Sequence, residues 1–374
     1  MKEVKFIHCA DFHLGSAMSG IGEYTNIRRD ELLSSFAAVV DLCIAEKVQL
    51  LMVAGDLFDK PFVSDEICRV VENQLSRLDI PVFICLGNHD YKTVDGAYTR
   101  MSLKDNVYIF DGELSSVELP ELCVRVFGAG FGGEYCDCSL VSDFGVLNDD
   151  YINLVVLHGD VVSSGSSSRY NPIDVSKLAG ADYCAFGHIH KRTPPAKVGT
   201  VTYAYSGSVE SRGFDETGEK GVYIGTVSKG KCELEFRRVC KRVYHDITID
   251  VSSCETADSV YEMVQNALIG KEKKDLYKII LTGKLPVDVN ISTDVIKNRL
   301  DDIFFIKVKN ETGLKLDYEM IRKEFSLRGF FLDEMLKEKE RCLREGDIVS
   351  AEKYDVAIEY GMRAFEGEVS VNED

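Results

Sequence analysis

The chain has 374 residues, 45% of them hydrophobic, with 17 Tyr and 19 Phe. That is too long for one ordinary core and apolar enough for two or more packed domains. The formal net charge of -18 argues against a general nucleic-acid binder, whose non-specific affinity is mostly phosphate attraction, and no apolar run is long enough to span a membrane. The 12 Cys are scattered with no C-x-x-C pair, Cys136-Asp137-Cys138 being the nearest approach. A strand begins within four residues of Met1, with no basic region followed by an apolar segment and a cleavage site. A cytoplasmic protein with reduced thiols is therefore expected.

In chain order, the apolar run Val4 to Ala10 leads into Asp11-Phe12-His13. Arg29 to Lys47 carries Leu32, Leu33, Phe36, Val39, Val40 and Ile44 at the spacing of a one-sided helix. A second apolar run, Val48 to Ala54, ends in Gly55-Asp56-Leu57-Phe58-Asp59, and a second helix is predicted over Asp65 to Leu78. A third run, Ile80 to Leu86, ends in Gly87-Asn88-His89-Asp90. Short strands follow at Val107 to Phe110 and Cys123 to Phe127, then a Gly-rich stretch, Gly128 to Gly133, predicted as a loop near the site. Leu154 to Leu157 leads into His158-Gly159-Asp160. The Ser/Gly run Ser163 to Ser168 is a solvated linker or a substrate-facing loop, with Arg169 as a possible phosphate contact. Tyr183 to Phe186 leads into Gly187-His188-Ile189-His190.

Beyond this point the chain turns β-rich. Tyr203 to Ser208, Val222 to Val227 and Glu233 to Val239 are predicted as strands of a second sheet face. Lys229, Lys231, Arg237, Arg238, Lys241 and Arg242 around them are either a solvated strand edge or a strip contacting phosphates. A boundary is placed near Val243, so that residues 1–242 form one domain. Residues 243–315 form a small α+β domain with strands at Val243 to Asp250, Leu276 to Gly283 and Ile303 to Val308. Its helices are predicted at Thr256 to Ile269 and Thr293 to Leu300, and its lone His245 is read as structural. Residues 316–365 form a helical pair, Leu316 to Leu343 and Asp347 to Phe365, broken at Gly346 with Asp347 as N-cap. The second helix carries Ile348, Ala351, Tyr354, Ile358, Met362 and Phe365 on one stripe, which either folds back or binds a partner. Residues 366–374 are an acidic tail expected to be disordered.

The five His- and Asp-bearing stretches form one pattern. They hold five of the chain's 7 His, each just past an apolar run, where open α/β sheets place their ligands. Asp, Asn and His without Cys suit Mn, Fe or Zn better than a thiolate cluster or a calcium cage. Two ions would need one shared carboxylate, and Asp56 is the best bridging candidate because it leaves the central strand of the first three. Asn88 offers a neutral oxygen beside His89. Two divalent ions roughly 3.5–4 Å apart lower the pKa of a bridging water and clamp the attacking and leaving oxygens of a phosphoryl group. Such a site suits phosphoester hydrolysis with no covalent intermediate.

Asp-x-His, Gly-Asp, Gly-Asn-His-Asp, His and Gly-His-x-His in this order resemble the calcineurin-like metallophosphoesterases, over residues 4 to about 227. The resemblance implies an α/β fold: a β-sandwich flanked by helices, then an α+β capping domain and C-terminal helices. It implies one metal on Asp11, His13, Asp56 and His190, and another on Asp56, Asn88, His158 and His188. His89 would stabilise the transition state and protonate the leaving oxygen, with Asp90 orienting its ring. The stretches Cys9 to Gly15, Ala54 to Asp59, Phe186 to Lys191 and Tyr205 to Ser208 are similar to the SbcD-type and YhaO-type DNA repair exonucleases. That branch implies two Mn ions, a DNA substrate cut as exo- or endonuclease, an SMC-like ATPase partner gripped by the helical pair, and a possible homodimer. Asp59 departs from it, since several of its nucleases carry His there. A phosphodiesterase or phosphatase acting on a small molecule or phosphoprotein is the alternative reading.

Overall fold

Burial on both faces of the first strands explains the architecture. The structure is a computed structural model that describes residues 2–142, 144–145, 150–286 and 289–365. The acidic tail 366–374 lies outside the described residues. The chain divides into two compact units, Met1–Tyr244 and His245–Asp374.

In the first unit, β1 (Val4–Cys9), β2 (Leu50–Ala54), β3 (Val82–Cys85) and β4 (Val107–Phe110) run parallel, with α1 (Thr25–Ala45), α2 (Asp65–Leu75) and the short α3 (Ala97–Arg100) between them. The second sheet contains β5 (Ser115–Leu119), β6 (Val124–Gly128), β7 (Ile152–His158), β8 (Tyr183–Gly187), β9 (Ala196–Val198) and β10 (Val201–Tyr205), in the order β5-β6-β7-β8-β10-β9. The hairpin β11 (Gly221–Ser228) and β12 (Lys231–Arg238) returns to the first sheet, giving the order β12-β11-β1-β2-β3-β4. The expectation that β10, β11 and β12 share a second sheet is thus corrected. β11 pairs antiparallel with β1, a partner more than two hundred residues earlier, and local pattern carries no record of that.

Side chains alternate across each strand. Phe6, Leu50, Met52 and Phe83 point between the sheets and meet Val126, Leu154, Val156 and Tyr183. Ile7, Leu51 and Val53 point the other way, onto Leu32, Phe36 and Val40 of α1 and Val71 of α2. The result is a β-sandwich with helices on the outer face of one sheet. α2 starts at Ser64, whose hydroxyl accepts from Ile67 N, and Asp65 and Glu66 complement its dipole. α1 begins one turn before the predicted Arg29, and Ile44 of its expected stripe is 48% exposed. Arg28 explains the early start: it is fully buried and pairs with Glu31 and, at 2.7 Å, with buried Glu210.

Five of the six basic residues around β12 are matched by acids, and Lys241 meets Glu210 through its backbone N–H. Lys229 pairs with Asp182, Lys231 with Glu233, Arg237 with Glu46 and Glu235, Arg238 with Glu219 and Arg242 with Glu31. β12 is the sheet's edge strand, so these pairs fit the solvated-edge reading. All 12 Cys are free thiols.

The second unit begins with β13 (Tyr244–Asp250), α4 (Ala257–Ala267) and β14 (Leu276–Thr282). It continues with β15 (Lys284–Leu285), α5 (Thr293–Arg299), β16 (Phe305–Asn310) and β17 (Gly313–Leu314). Its three-stranded sheet β13-β14-β16 packs Tyr277, Ile279 and Leu281 against Val260, Val264 and Ile296 of the helices. His245 bonds Asp275 at 2.8 Å and stacks on Tyr277, a structural role as expected. The predicted Leu316–Leu343 segment is two helices, α6 (Tyr318–Ile321) and α7 (Leu327–Glu345), because Ser326 caps α7. Gly346 at φ 77° ends α7, and the Asp347 carboxylate accepts from Ser350 N at the start of α8 (Ile348–Phe365). The middle of the predicted stripe folds back: Ala351, Ile358 and Met362 are buried, the latter two in one cluster with Ile321 and Leu332. Ile348 stays 64% exposed. Among the described residues no helix is long and apolar enough to cross a membrane.

Candidate metal centre

Four of the site residues sit where the backbone turns left-handed. Asp11 (φ 52°), His13 (φ 48°), Asp56 (φ 51°) and His188 (φ 101°) all leave β1, β2 or β8 in this way. Asp and His tolerate positive φ better than branched residues, and such strain collects at functional sites. The turns let the loops after the neighbouring strands β1 and β2 pair: Asp11 N donates to Gly55 O at 3.1 Å and His13 N to Asp56 O at 2.9 Å. The glycines are needed for close approach. A Cβ on Gly187 would lie 1.8 Å from Ala54 O, and one on Gly87 would lie 2.0 Å from Asp56 Oδ1. Because the Gly187 clash is with backbone, Gly187→Ala is expected to cost about 3 kcal/mol or more by overpacking. Thermal unfolding checks this, and a wild-type melting temperature would sink it.

The structure brings all seven expected ligand residues together. His13 Nε2 lies 3.1 Å from His190 Nε2 and 3.6 Å from Asp56 Oδ2. His158 Nε2 lies 3.3 Å from the same Asp56 oxygen and 3.0 Å from Asn88 Oδ1, which is 3.2 Å from His188 Nδ1. Asp11 Oδ1 is 4.0 Å from His190 Nε2, and its carboxylate accepts from His188 N. Asp56 therefore sits between two nests of donors. Two other groupings of potential ligand atoms are Asp11, Asp56 and His158, and His13, Asp59 and His89.

Buried charge shapes these groups. Burial alone would raise Asp56, but neighbouring His158 and then His13 hold it well below the usual carboxylate range. Burial would lower His158, yet Asp56 and Asp11 together raise it to about 9. His13 is lowered by burial. His13 Nδ1 is buried without a hydrogen-bond partner, with Asp59 Oδ1 off-axis at 3.3 Å. Two buried carboxylates and converging imidazoles form a donor set that fits divalent cations.

His89 and Asp90 behave differently from the ligands. His89 N donates to Asp56 Oδ1 at 2.9 Å, and its Nδ1 donates to Asp59 O at 3.1 Å. Asp90 was expected to orient that ring, and the structure corrects this. Its carboxylate accepts instead from Gly87 N, Leu57 N, Phe58 N and Tyr98 Oη, so it ties the β3 loop to the β2 loop. Burial, then the charge of Asp56, raises Asp90 to about 6. Arg169 is exposed and stacks 3.9 Å over the Tyr135 ring, while adjacent Tyr170 lies 4.7 Å from the His188 ring. Residues 163–167 of the Ser/Gly run are exposed, and the Gly-rich loop sets Phe131 edge-on to His158.

Glu216 and Arg212 contact the site's residues, and the sequence reading missed them. Glu216 Oε1 accepts from His190 Nδ1 at 2.8 Å, and Arg212 reaches both Glu216 and Asp59. Against burial, His190 pulls Glu216 down to about 2. The one signal was the charge-rich loop Ser211 to Lys220 following the last motif. With His190 as a ligand, Glu216→Ala is expected to weaken metal affinity about 10–100-fold. Calorimetric metal titration reads this directly, and unchanged affinity rules the orienting role out.

Comparison with known proteins places the chain. It is 28% identical over 306 residues to the uncharacterized metallophosphoesterase YhaO of Bacillus subtilis, covering 76% of this chain and 73% of that one. It is 27% identical over 292 residues to the DNA double-strand break repair protein Mre11 of Aeropyrum pernix, covering 71% and 67%. A solved dimetal phosphatase from Danio rerio aligns with a TM-score of 0.43 at 13% identity, over 64% of this chain and 97% of that one. Residues 4–192, which carry the strand-end motifs and every atom of the two donor nests, match the calcineurin-like phosphoesterase family, and the chain belongs to it.

Proposed function

We propose that the chain is a dinuclear-metal phosphodiesterase that cuts DNA, as an exo- or endonuclease of double-strand-break repair. The observation that carries the reading is the single Asp56 oxygen between His13 Nε2 at 3.6 Å and His158 Nε2 at 3.3 Å. One ion would be held by Asp11, His13, Asp56 and His190, the other by Asp56, Asn88, His158 and His188, with Mn the preferred metal. Such ions, when bound, activate water and neutralise phosphoryl oxygens. The chain's own residues position and protonate. His89 is fixed at its backbone by Asp56 and at its ring by the Asp59 carbonyl, which fixes the proton on Nδ1. With Nδ1–H held there, Nε2 faces the substrate, and in the imidazolium form, where both nitrogens carry a proton, Nε2–H delivers its proton to the leaving oxygen and leaves the neutral Nδ1–H ring. Asp90 holds the loop that carries Asn88 and His89. Arg169 contacts a substrate phosphate.

The DNA assignment draws on the Aeropyrum relative's name, and the net charge of -18 favours the second reading, a phosphodiesterase or phosphatase acting on a small molecule or phosphoprotein. Linear DNA and a chromogenic phosphodiester, each assayed with Mn and then with a chelator, separate the two. Metal-dependent hydrolysis of the chromogen without DNA cleavage overturns the nuclease.

For the partner, we propose that residues 243–315 are a domain of the capping type and that α7 and α8 grip the coiled coil of an SMC-like ATPase. Phe325, Leu327, Phe330, Val349 and Tyr360 remain exposed around that pair, apolar surface that a partner would cover. A homodimer is compatible with this arrangement. Deleting Asp347 to Asp374 is expected to leave chromogen hydrolysis intact and to abolish co-purification with such an ATPase. Full-stoichiometry capture by the truncated chain places the docking elsewhere.

A further inference from the structure

A surface cavity of about 410 Å³ lies beside the two loops that carry Asp11, His13, Asp56 and Asp59. Its position is fixed by the ladder between those loops: Leu14 N donates to Leu57 O and Asp59 N to Leu14 O. Residues immediately after each motif line it, Gly15 and Ser16 after the first and Lys60, Phe62 and Val63 after the second. The apolar floor comes from Leu32 of α1 and Ile67 of α2. Gly15, at φ 90°, keeps that floor open, since a Cβ there would lie 3.1 Å from Val63 and 3.2 Å from Ile67.

Three features give the cavity its chemistry. Arg29 and Lys60 both line it, and neither has a carboxylate partner among the described residues. Arg29 spends one donor on Ala17 O, leaving the rest of its guanidinium available. In a chain of net charge -18, where the basic residues of β12 are matched by acids, two unmatched cations converge here. Phe62 is 60% exposed, which is costly for an aromatic that covers nothing. An anion-binding pair beside a flat aromatic and an apolar floor matches a phosphate joined to a nucleobase.

We infer that this cavity binds one nucleotide unit of the substrate strand, beside the scissile phosphate, with Arg29 and Lys60 on its phosphate and Phe62 stacked on its base. The inference rests on the phosphodiesterase reading above and deepens it, because it adds to Arg169 a second place where an acidic chain holds the strand. Base stacking on an aromatic tolerates any sequence, so the site would secure the strand without reading it.

The test is binding of a fluorescent single-stranded oligonucleotide to the full chain, followed by anisotropy at several salt concentrations. The Arg29→Ala/Lys60→Ala double variant is expected to lose about tenfold in affinity and to show a shallower salt dependence, from two lost phosphate contacts. Phe62→Ala is expected to lose about tenfold as well, with Phe62→Tyr restoring it. All three side chains are exposed, and unchanged melting temperatures certify the fold. Lys47→Ala is the charge control. It lies past the far end of α1, about 27 Å from Arg29 along the helix axis, and is expected to bind as wild type. Wild-type affinity in the double variant overturns the site, and so does an equal loss in Lys47→Ala, which would mean diffuse charge. A wild-type protein that hydrolyses a chromogenic diester yet binds no oligonucleotide overturns the nucleic-acid reading itself, and the nucleotide site with it.

Discussion

Asp56→Asn is expected to abolish phosphodiester hydrolysis and to lower the bound metal from two ions per chain. The residue is buried, and its Oδ2 is shared between His13 and His158. Asn keeps the shape and tolerates the positive φ, but it is neutral and presents its amide nitrogen in place of one oxygen. A bridge between two cations depends on the charge, so the loss is not graded. Elemental analysis after dialysis, read beside turnover, checks this. Two tightly held ions in the variant would falsify the bridging role.

His89→Asn is expected to keep both ions and to lose about 10²–10⁴-fold in turnover on substrates with poor leaving groups. The ring's contacts are with Asp59 O and, edge-on, the His13 ring, while its backbone N–H meets Asp56. Removing the imidazole therefore leaves the Asp56 contact in place. A substrate whose leaving group is already acidic needs no proton and should lose less. Equal losses on both substrates eliminate the acid role and leave charge stabilisation.

The strand-end motifs were legible because chemistry and periodicity coincide in them. Each apolar run is a strand, and each polar stretch past it lies at the strand's carboxyl end, in the crevice where the seven expected ligands meet. The helices were legible from one-sided spacing, with errors at their ends. The start of α1 depends on Arg28 reaching Glu210, and that pair is joined only by the fold. β5 was missed because Ser115–Leu119 alternates weakly at a sheet edge. Glu216 escaped for a different reason. A single acid in a loop has no periodicity, and its meaning comes from His190 lying 2.8 Å away. Asp90 was seen but given the wrong partner, since adjacency to His89 in sequence outweighed three backbone amides that only the folded loop supplies.

The left-handed turns at Asp11, His13, Asp56 and His188 have a consequence for how such a protein can change over generations. Each position answers two demands, a donor atom and a backbone that bends the unusual way. Asn and Gly meet the second demand as well as Asp does, and both are one base change from an Asp codon. A lineage can therefore lose its catalysis at Asp11 or Asp56 while its loops keep their course and its sandwich stays packed. In this architecture a silent relative, still folded, is a short mutational step from a working enzyme.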